Sequence, residues 1–98
     1  MDGRPPVWDR SNRKHLAEDH PEREVSISDV QEVLADPERD ERYDSQRDTY
    51  LVLGRTRAGR WLIVVWVDHP RGRYPIHVRP ASAAARRKWE SSDQNVSG

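Results

Sequence analysis

The chain has 98 residues, of which 34% are apolar and 35% are charged, a composition that fits one small domain with a modest core. It contains no cysteine, which excludes disulfides, thiolate catalysis and cysteine-rich zinc sites. The net charge of zero is a cancellation, because residues 1–48 hold 8 Lys and Arg against 14 Asp and Glu, whereas residues 49–98 hold 9 against 3.

A first helix is predicted over Arg10–Asp19, with Asp9 as its N-cap and Pro21 as a stop soon after it. A second helix follows, because Ser28 and Gln31 have the spacing of a capping box. Its apolar residues recur at helical spacing, and a proline follows them: Val30, Val33, Leu34 and Pro37.

Strands are predicted for the second half, after a loop. Pro37–Asp48 is rich in charged residues, which favours a solvated loop. Three strands then follow, with turns between them: Tyr50–Leu53 running on to Thr56, Arg60–Val67, and Tyr74–Arg79. The middle strand is apolar on both faces, so we expect it at the centre of the sheet. Pro75 indicates that the last strand lies at an edge, or that Pro75 is at the start of the strand.

Membrane insertion is not expected. The longest apolar run, Trp61–Val67, has seven residues, far fewer than the roughly 20 that a membrane-spanning helix requires. Residues 1–6 contain no apolar stretch behind their charges, so we expect no signal peptide and a cytoplasmic location.

A C-terminal helix is predicted over Ala81–Glu90, which is rich in alanine and arginine, and Ser91–Gly98 is expected to be a polar tail. Residues 1–90 would then form a single domain. The predicted fold class is α+β: a small antiparallel β-sheet of three to four strands, with two N-terminal helices packed on it and a C-terminal helix.

The order of short motifs along the chain resembles that of BrnT-type toxins. The first half matches at Trp8-Asp9, Asn12, His15, His20, Val25-Ser26, Val30, Glu32-Val33 and Asp36-Pro37. The second half matches at Leu53-Gly54-Arg55-Thr56, Gly59-Arg60-Trp61-Leu62, Val64-Val65, Ile76-His77-Val78-Arg79, Ala81, Arg86-Arg87 and Trp89-Glu90. The resemblance implies a RelE-like fold and a metal-independent endoribonuclease that cleaves mRNA, inhibits growth and uses no cofactor. It also implies a cognate BrnA-like antitoxin, with which such toxins form a hetero-oligomer.

Arginines are the first candidates for the chemistry. Cleavage of RNA without a metal requires that the 2′-OH lose a proton and that the pentacoordinate phosphate be stabilised. A guanidinium binds two phosphate oxygens at once, and Arg60 and Arg79 lie at strand ends next to matched motif positions. Arg55 and Arg86 are expected to complete an RNA-binding cluster. Each of these arginines would also fit a salt bridge at the surface or toward an antitoxin.

His77 is the candidate proton carrier. It alternates with Ile76 and Val78, which places it on the same face as Arg79 and Pro75 if the strand is regular. The alternative is a half-buried sheet histidine that is hydrogen-bonded to a neighbour.

Trp89 lies one helical turn from Arg86, where it would either stack on a splayed base or pack on the sheet. His15 and His20 are five residues apart, and this spacing does not place both side chains on one helical face. We therefore expect structural hydrogen bonds there and no metal site.

Two other functions remain open. A catalytically degenerate BrnT-like protein would keep a surface for nucleic acid or antitoxin without cleaving anything. A DNA-binding regulator would need an element for the major groove, and the last helix is the candidate for it.

Overall fold

The computed structural model describes the backbone of residues 4–97 and the side chains of residues 4–91. Its elements, in chain order, are α1 (Arg10–Ala17), a 3-10 turn (Pro21–Arg23), α2 (Ile27–Ala35), β1 (Asp40–Asp44), β2 (Thr49–Arg55), β3 (Trp61–His69), β4 (Gly72–Pro80) and α3 (Ala83–Ser97). The four strands form one antiparallel sheet in the order β1-β2-β3-β4. The predicted α+β class is confirmed, and β3 lies inside the sheet as expected.

Helices cover both faces of the sheet. The larger core lies under α1 and α2 and consists of Leu16, Val25, Val30, Val33, Leu34, Val52, Leu62, Val64, Trp66 and Val78. Neighbouring residues on the strands point to the opposite face, where Leu53 and Ile63 form a smaller core with Ala81, Trp61 and Trp89. Trp89 belongs to α3, so that helix packs on the face opposite the other two.

Reciprocal capping boxes begin both N-terminal helices. Asp9 caps α1 as expected. Its carboxylate accepts from the backbone N–H of Asn12 at 2.9 Å, and the side-chain oxygen of Asn12 accepts from the backbone N–H of Asp9 at 2.9 Å. The capping box of α2 is Ser26 with Asp29, and the prediction of Ser28 with Gln31 is wrong. The helix starts earlier because Ile27 packs against the core as its first residue.

The prediction of a loop over Pro37–Asp48 is wrong at its centre, where β1 pairs with β2 from Asp40↔Leu53 to Asp44↔Thr49. The strand lies at the edge of the sheet, where charged side chains reach water and also discourage pairing with other chains.

Aromatic rings stacked across three strands contribute to the pairing of β1 with β2. Tyr43 lies 4.9 Å from Tyr50 between ring centroids, and Tyr50 stacks on Trp66 of β3 at 4.1 Å.

A bulge interrupts the pairing of β3 with β4. Val65 pairs with His77, but Trp66 pairs with Pro75, so Ile76 is the extra residue. Pro75 consequently lies opposite Trp66 and is fully buried. The expectation that Pro75 shares a face with His77 is therefore wrong, whereas its place in an edge strand is confirmed.

The N-terminal segment covers the first part of the outer edge of β4. The backbone N–H of Val7 donates to the carbonyl of Arg73 at 2.6 Å, and the N–H of Arg73 donates to the carbonyl of Pro5 at 3.0 Å. Gly72 has φ +151° and would place a Cβ against the Pro5 carbonyl. This close approach of two backbones requires glycine.

Helix α3 is displaced and longer than expected. It starts at Ala83, and the hydroxyl of Ser82 accepts from the N–H of Ala85 at 3.1 Å. Its backbone remains helical to Ser97 within the stretch expected as a tail, since no glycine or proline interrupts residues 83–97. None of the helices in the described part of the chain combines the length and apolar character needed to cross a membrane.

Candidate nucleic-acid interface

A groove of about 540 Å³ separates α3 from the β1 side of the sheet. Its walls include three cationic side chains, Arg42, Arg79 and Lys88. Leu51 and Ile63 of the sheet also line it. Such a combination of apolar surface and cations suits a nucleotide chain, whose bases are apolar on their faces and whose phosphates are anionic.

The wall formed by α3 is fixed by Trp89. Its indole Nε1 donates to Asp40 Oδ2 at 2.7 Å, and the guanidinium of Arg42 lies 4.0 Å from the ring centroid. Arg42 also donates to Asp40 at 3.3 Å. Trp89 therefore has the packing role that the sequence left open, and the stacking of a base on its ring remains a prediction.

The structure brings Arg55 and Arg86 together on Trp61. Their guanidinium carbons lie 5.1 Å and 4.9 Å from the centroid of that ring. The guanidinium of Arg55 forms an ion pair with the carboxylate of Glu38 at 3.9 Å, and both side chains are exposed, so this ion pair contributes little. Arg55 is thus exposed at the surface next to α3, whereas Arg86, which belongs to α3, is half-buried against the same ring.

Two carboxylates of the α2 region hold the hairpin that carries Arg55. Asp36 accepts from the backbone N–H of Arg55 at 2.9 Å, and Glu32 accepts from that of Arg57 at 2.9 Å. The N–H of Arg55, followed by that of Glu38, lowers the pKa of Asp36 below its ordinary value. Asp36 is therefore ionised at neutral pH and keeps the start of the hairpin in place.

His77 and Arg79 lie two residues apart on the groove face of β4, opposite Val65 and Ile63. Arg79 is exposed on the groove wall, and no other described residue engages its guanidinium in a hydrogen bond or ion pair. His77 is half-buried. Burial lowers the pKa of His77, and the cations Arg23 and Arg79 lower it further, so the imidazole is neutral at pH 7.

The guanidinium of Arg60 points to a different part of the molecule. It donates to the backbone carbonyls of Arg23 and Glu24, in the linker between α1 and α2. The structure therefore does not bring Arg60 to the groove with Arg79, and direct contact between Arg60 and a phosphate remains a prediction.

His15 and His20 contact each other edge to face, with ring centroids 5.7 Å apart. Each also has a carboxylate partner, Asp19 at 3.4 Å for His15 and Glu22 at 3.2 Å for His20. Over the side chains of residues 4–91, no group of three or more His, Asp and Glu is arranged to hold a metal ion.

Three cationic residues near the site were not among the sequence candidates: Arg23, Arg42 and Lys88. Arg42 lies in β1, which the sequence predicted as a loop. With Tyr43 as its one aromatic residue, this short strand shows no alternation of apolar and polar residues that would identify it. Lys88 could have been found, because it follows Arg86 and Arg87 on the predicted helix. Arg23 could not have been found, because its position depends on a residue that is distant in the sequence. Its guanidinium donates to the carbonyl of Val78 at 2.9 Å, 55 residues further along the chain.

A family model described as a domain of unknown function, DUF4258, matches residues 13–78. No curated protein matches the chain, and no solved structure does. The matched span starts within α1 and ends within β4, so it includes Arg23, Arg60 and His77 and stops one residue before Arg79. Because this span is more than half of the sequence, the chain belongs to the DUF4258 family.

Proposed function

We propose that this protein is a metal-independent endoribonuclease, the BrnT-like toxin of a type II toxin–antitoxin pair, and that it binds single-stranded mRNA in the groove beside α3. The observation that supports this most strongly is the pairing of an exposed Arg79 on the groove wall with a half-buried, neutral His77 on the same face of β4.

These two groups fit RNA cleavage by transesterification. The neutral imidazole of His77 accepts the proton of a 2′-OH, and the 2′-oxygen forms a bond to phosphorus. The bond from phosphorus to the 5′-oxygen breaks, and that oxygen takes up a proton from water. The His77 imidazolium then returns its proton to the solvent, which restores the water and the neutral imidazole. The products are a 2′,3′-cyclic phosphate and a 5′-OH, and no further reactant is consumed. Arg79 stabilises the charge on the non-bridging oxygens of the pentacoordinate phosphate.

The surrounding cations would hold the rest of the strand. Arg42 and Lys88 line the groove, and Arg55 with Arg86 lies beside it on Trp61. Phosphate contacts of this kind provide affinity without sequence preference and weaken as salt rises. A cognate BrnA-like antitoxin that covers this surface would block RNA and neutralise the toxin.

A binding module without catalysis is the second candidate. The engagement of Arg60 with the linker carbonyls favours it, because an arginine expected to act on phosphate is used in the scaffold. In this case the groove would bind RNA or the antitoxin and leave RNA intact.

Induced expression distinguishes the two candidates. We expect the wild type to arrest growth and fragment mRNA, and Arg79→Ala to do neither. Arg71→Ala is the matched control, since Arg71 is exposed at the turn between β3 and β4, and it should behave as the wild type. Normal growth and intact mRNA with folded wild-type protein would reject the ribonuclease in favour of the binding module.

A further inference from the structure

We infer that Arg23 is a third member of the phosphate site, at the outer edge of β4 beside His77 and Arg79, and that Arg60 is the positioning residue that holds Arg23 there. The ligand of this site is the phosphodiester of single-stranded RNA, and in this respect the inference rests on the proposed function.

The position of Arg23 follows from one hydrogen bond. Its guanidinium donates to the backbone carbonyl of Val78 at 2.9 Å, and Val78 lies between His77 and Arg79 in the sequence. β4 is an edge strand, so a carbonyl on its outer side has no neighbouring strand to pair with. Arg23 therefore lies alongside the two residues proposed for the chemistry, although it comes from the linker between the helices.

The linker that carries Arg23 has a strained backbone. Glu24 adopts φ 51° and ψ 46°, the left-handed conformation that residues other than glycine rarely adopt. Such a conformation is unfavourable for a residue with a Cβ and persists only where neighbouring groups impose it.

Arg60 is the group that imposes this conformation. Two nitrogens of its guanidinium donate to two successive carbonyls, those of Arg23 and Glu24. Its own backbone is fixed to the buried Thr56, whose hydroxyl accepts from the Arg60 N–H at 3.2 Å and whose N–H donates to the Arg60 carbonyl at 2.9 Å. Arg60 thus connects the rigid β2–β3 hairpin to the linker. A lysine has no such fork and would not hold both carbonyls.

The electrostatic surroundings of His77 agree with this arrangement. After burial, the charge of Arg23 is the next cause that lowers the pKa of His77, followed by Arg79, His15 and His20. A phosphate that approaches His77 would therefore be attracted by the charges of both arginines.

The first part of the test needs no RNA. The pKa of His77 is measured by NMR in the wild type and in Arg23→Ala, Arg60→Ala and Arg60→Ala/Glu24→Gly, with Arg57→Ala as a control at the exposed hairpin tip. Removal of Arg23 should raise the pKa, and removal of Arg60 should raise it similarly, because Arg23 moves away. Glycine adopts the left-handed conformation without cost, so Glu24→Gly should bring the pKa back toward the wild-type value.

Two results would overturn the arrangement. If Arg23→Ala leaves the pKa of His77 unchanged, Arg23 does not lie beside it. If Arg60→Ala has no effect while Arg23→Ala does, Arg60 does not position Arg23. Arg60→Lys, which keeps the charge, should behave as Arg60→Ala and provides a second variant if the alanine form unfolds.

The second part uses an oligouridylate of about ten nucleotides, with affinity measured against salt concentration. Loss of one phosphate contact lowers the slope of log affinity against log salt by about 0.7 for a single strand. We expect the slope to fall by about 0.7 in Arg23→Ala, in Arg60→Ala and in the double variant Arg23→Ala/Arg60→Ala, since one phosphate contact disappears in each. A loss of about 1.4 in the double variant would mean that Arg60 contacts a phosphate itself. Failure of the wild type to bind would reject the proposed function and the phosphate role of Arg23, whereas the NMR result would still decide its position.

Discussion

Trp89 and Asp40 are joined by a 2.7 Å hydrogen bond from the indole Nε1 to the carboxylate, and this bond attaches the C-terminal helix to the edge strand β1. The guanidinium of Arg42 lies against the same indole at 4.0 Å. The groove therefore has a defined wall on the α3 side, made by residues almost fifty positions apart in the sequence.

Trp89→Phe should lower the free energy of unfolding by about 1–2 kcal/mol, because it removes the hydrogen bond to Asp40 and part of the ring that packs against the smaller core. Urea unfolding followed by circular dichroism measures the change. Glu90→Ala, on the exposed side of the same helix, should have little effect. An unchanged stability in Trp89→Phe would mean that α3 is not anchored at this point.

Asn12→Ala should be more damaging, with a loss of about 3 kcal/mol in the free energy of unfolding. Asn12 is only 3% exposed, and its amide donates to the carbonyls of Val7 at 2.9 Å and Pro75 at 3.2 Å. Both carbonyls would remain without this donor, and the capping box of α1 would be broken as well. Arg10→Ala, at an exposed position of α1, is the control, and equal effects of the two variants would contradict this role of Asn12.

Gly54→Ala should destabilise the hairpin that carries Arg55 by about 1–3 kcal/mol. A Cβ at this position would lie 3.1 Å from Val33 Cγ1, 3.2 Å from Asp36 Oδ2 and 3.2 Å from the Val33 carbonyl. The carbonyl cannot move without a shift of α2. Thermal unfolding checks the stability, and a variant as stable as the wild type would show that α2 and the hairpin are less tightly joined than the structure indicates.

Acid should weaken the contact between α1 and β4. The backbone N–H of Asn12, followed by the hydroxyl of Tyr74, lowers the pKa of Asp9 below its ordinary value of 3.8. A carboxylate whose folded pKa is depressed contributes stability above its unfolded pKa and loses it as the pH falls through the folded value. The difference in unfolding free energy between the wild type and Tyr74→Phe should therefore be larger at pH 7 than near pH 2. A difference that is the same at both pH values would contradict the role of this hydrogen bond.

His77 should give the protein a second pH dependence, in a different range. Its folded pKa lies below the ordinary 6.5 because of burial and nearby cations. The unfolded chain thus binds more protons in this range, and stability should fall as the pH drops from about 7 through the folded pKa. His77→Gln should remove this decrease, as measured by urea unfolding at several pH values between 5 and 8. A decrease that persists in the variant would assign it to other groups.

Local periodicity was sufficient to predict α2 and the two central strands. Val30, Val33 and Leu34 repeat at helical spacing, and Trp61–Val67 is apolar on both faces, so each element could be recognised from its own residues. β1 was missed because an edge strand can be charged throughout, and only its pairing with β2 identifies it.

The site was less predictable because its geometry depends on contacts that are distant in the sequence. The bulge at Ile76 is a property of the β3–β4 pairing and cannot be seen in β4 alone. The bond from Arg23 to Val78 spans 55 residues, and that from Arg60 to Arg23 spans 37. The sequence places Arg79 and His77 side by side because they share one strand, whereas nothing in it indicates that Arg60 contacts the linker carbonyls.

The most direct test of the proposed function is the incubation of purified protein with a single-stranded RNA and with the same strand carrying 2′-deoxy sugars throughout. We expect that the RNA is cut to fragments with 2′,3′-cyclic phosphate ends, that the deoxy strand remains whole, and that Arg79→Ala lowers the rate about 100-fold. If folded wild-type protein leaves the RNA intact, or cuts both strands equally, the proposed transesterification at His77 and Arg79 is wrong.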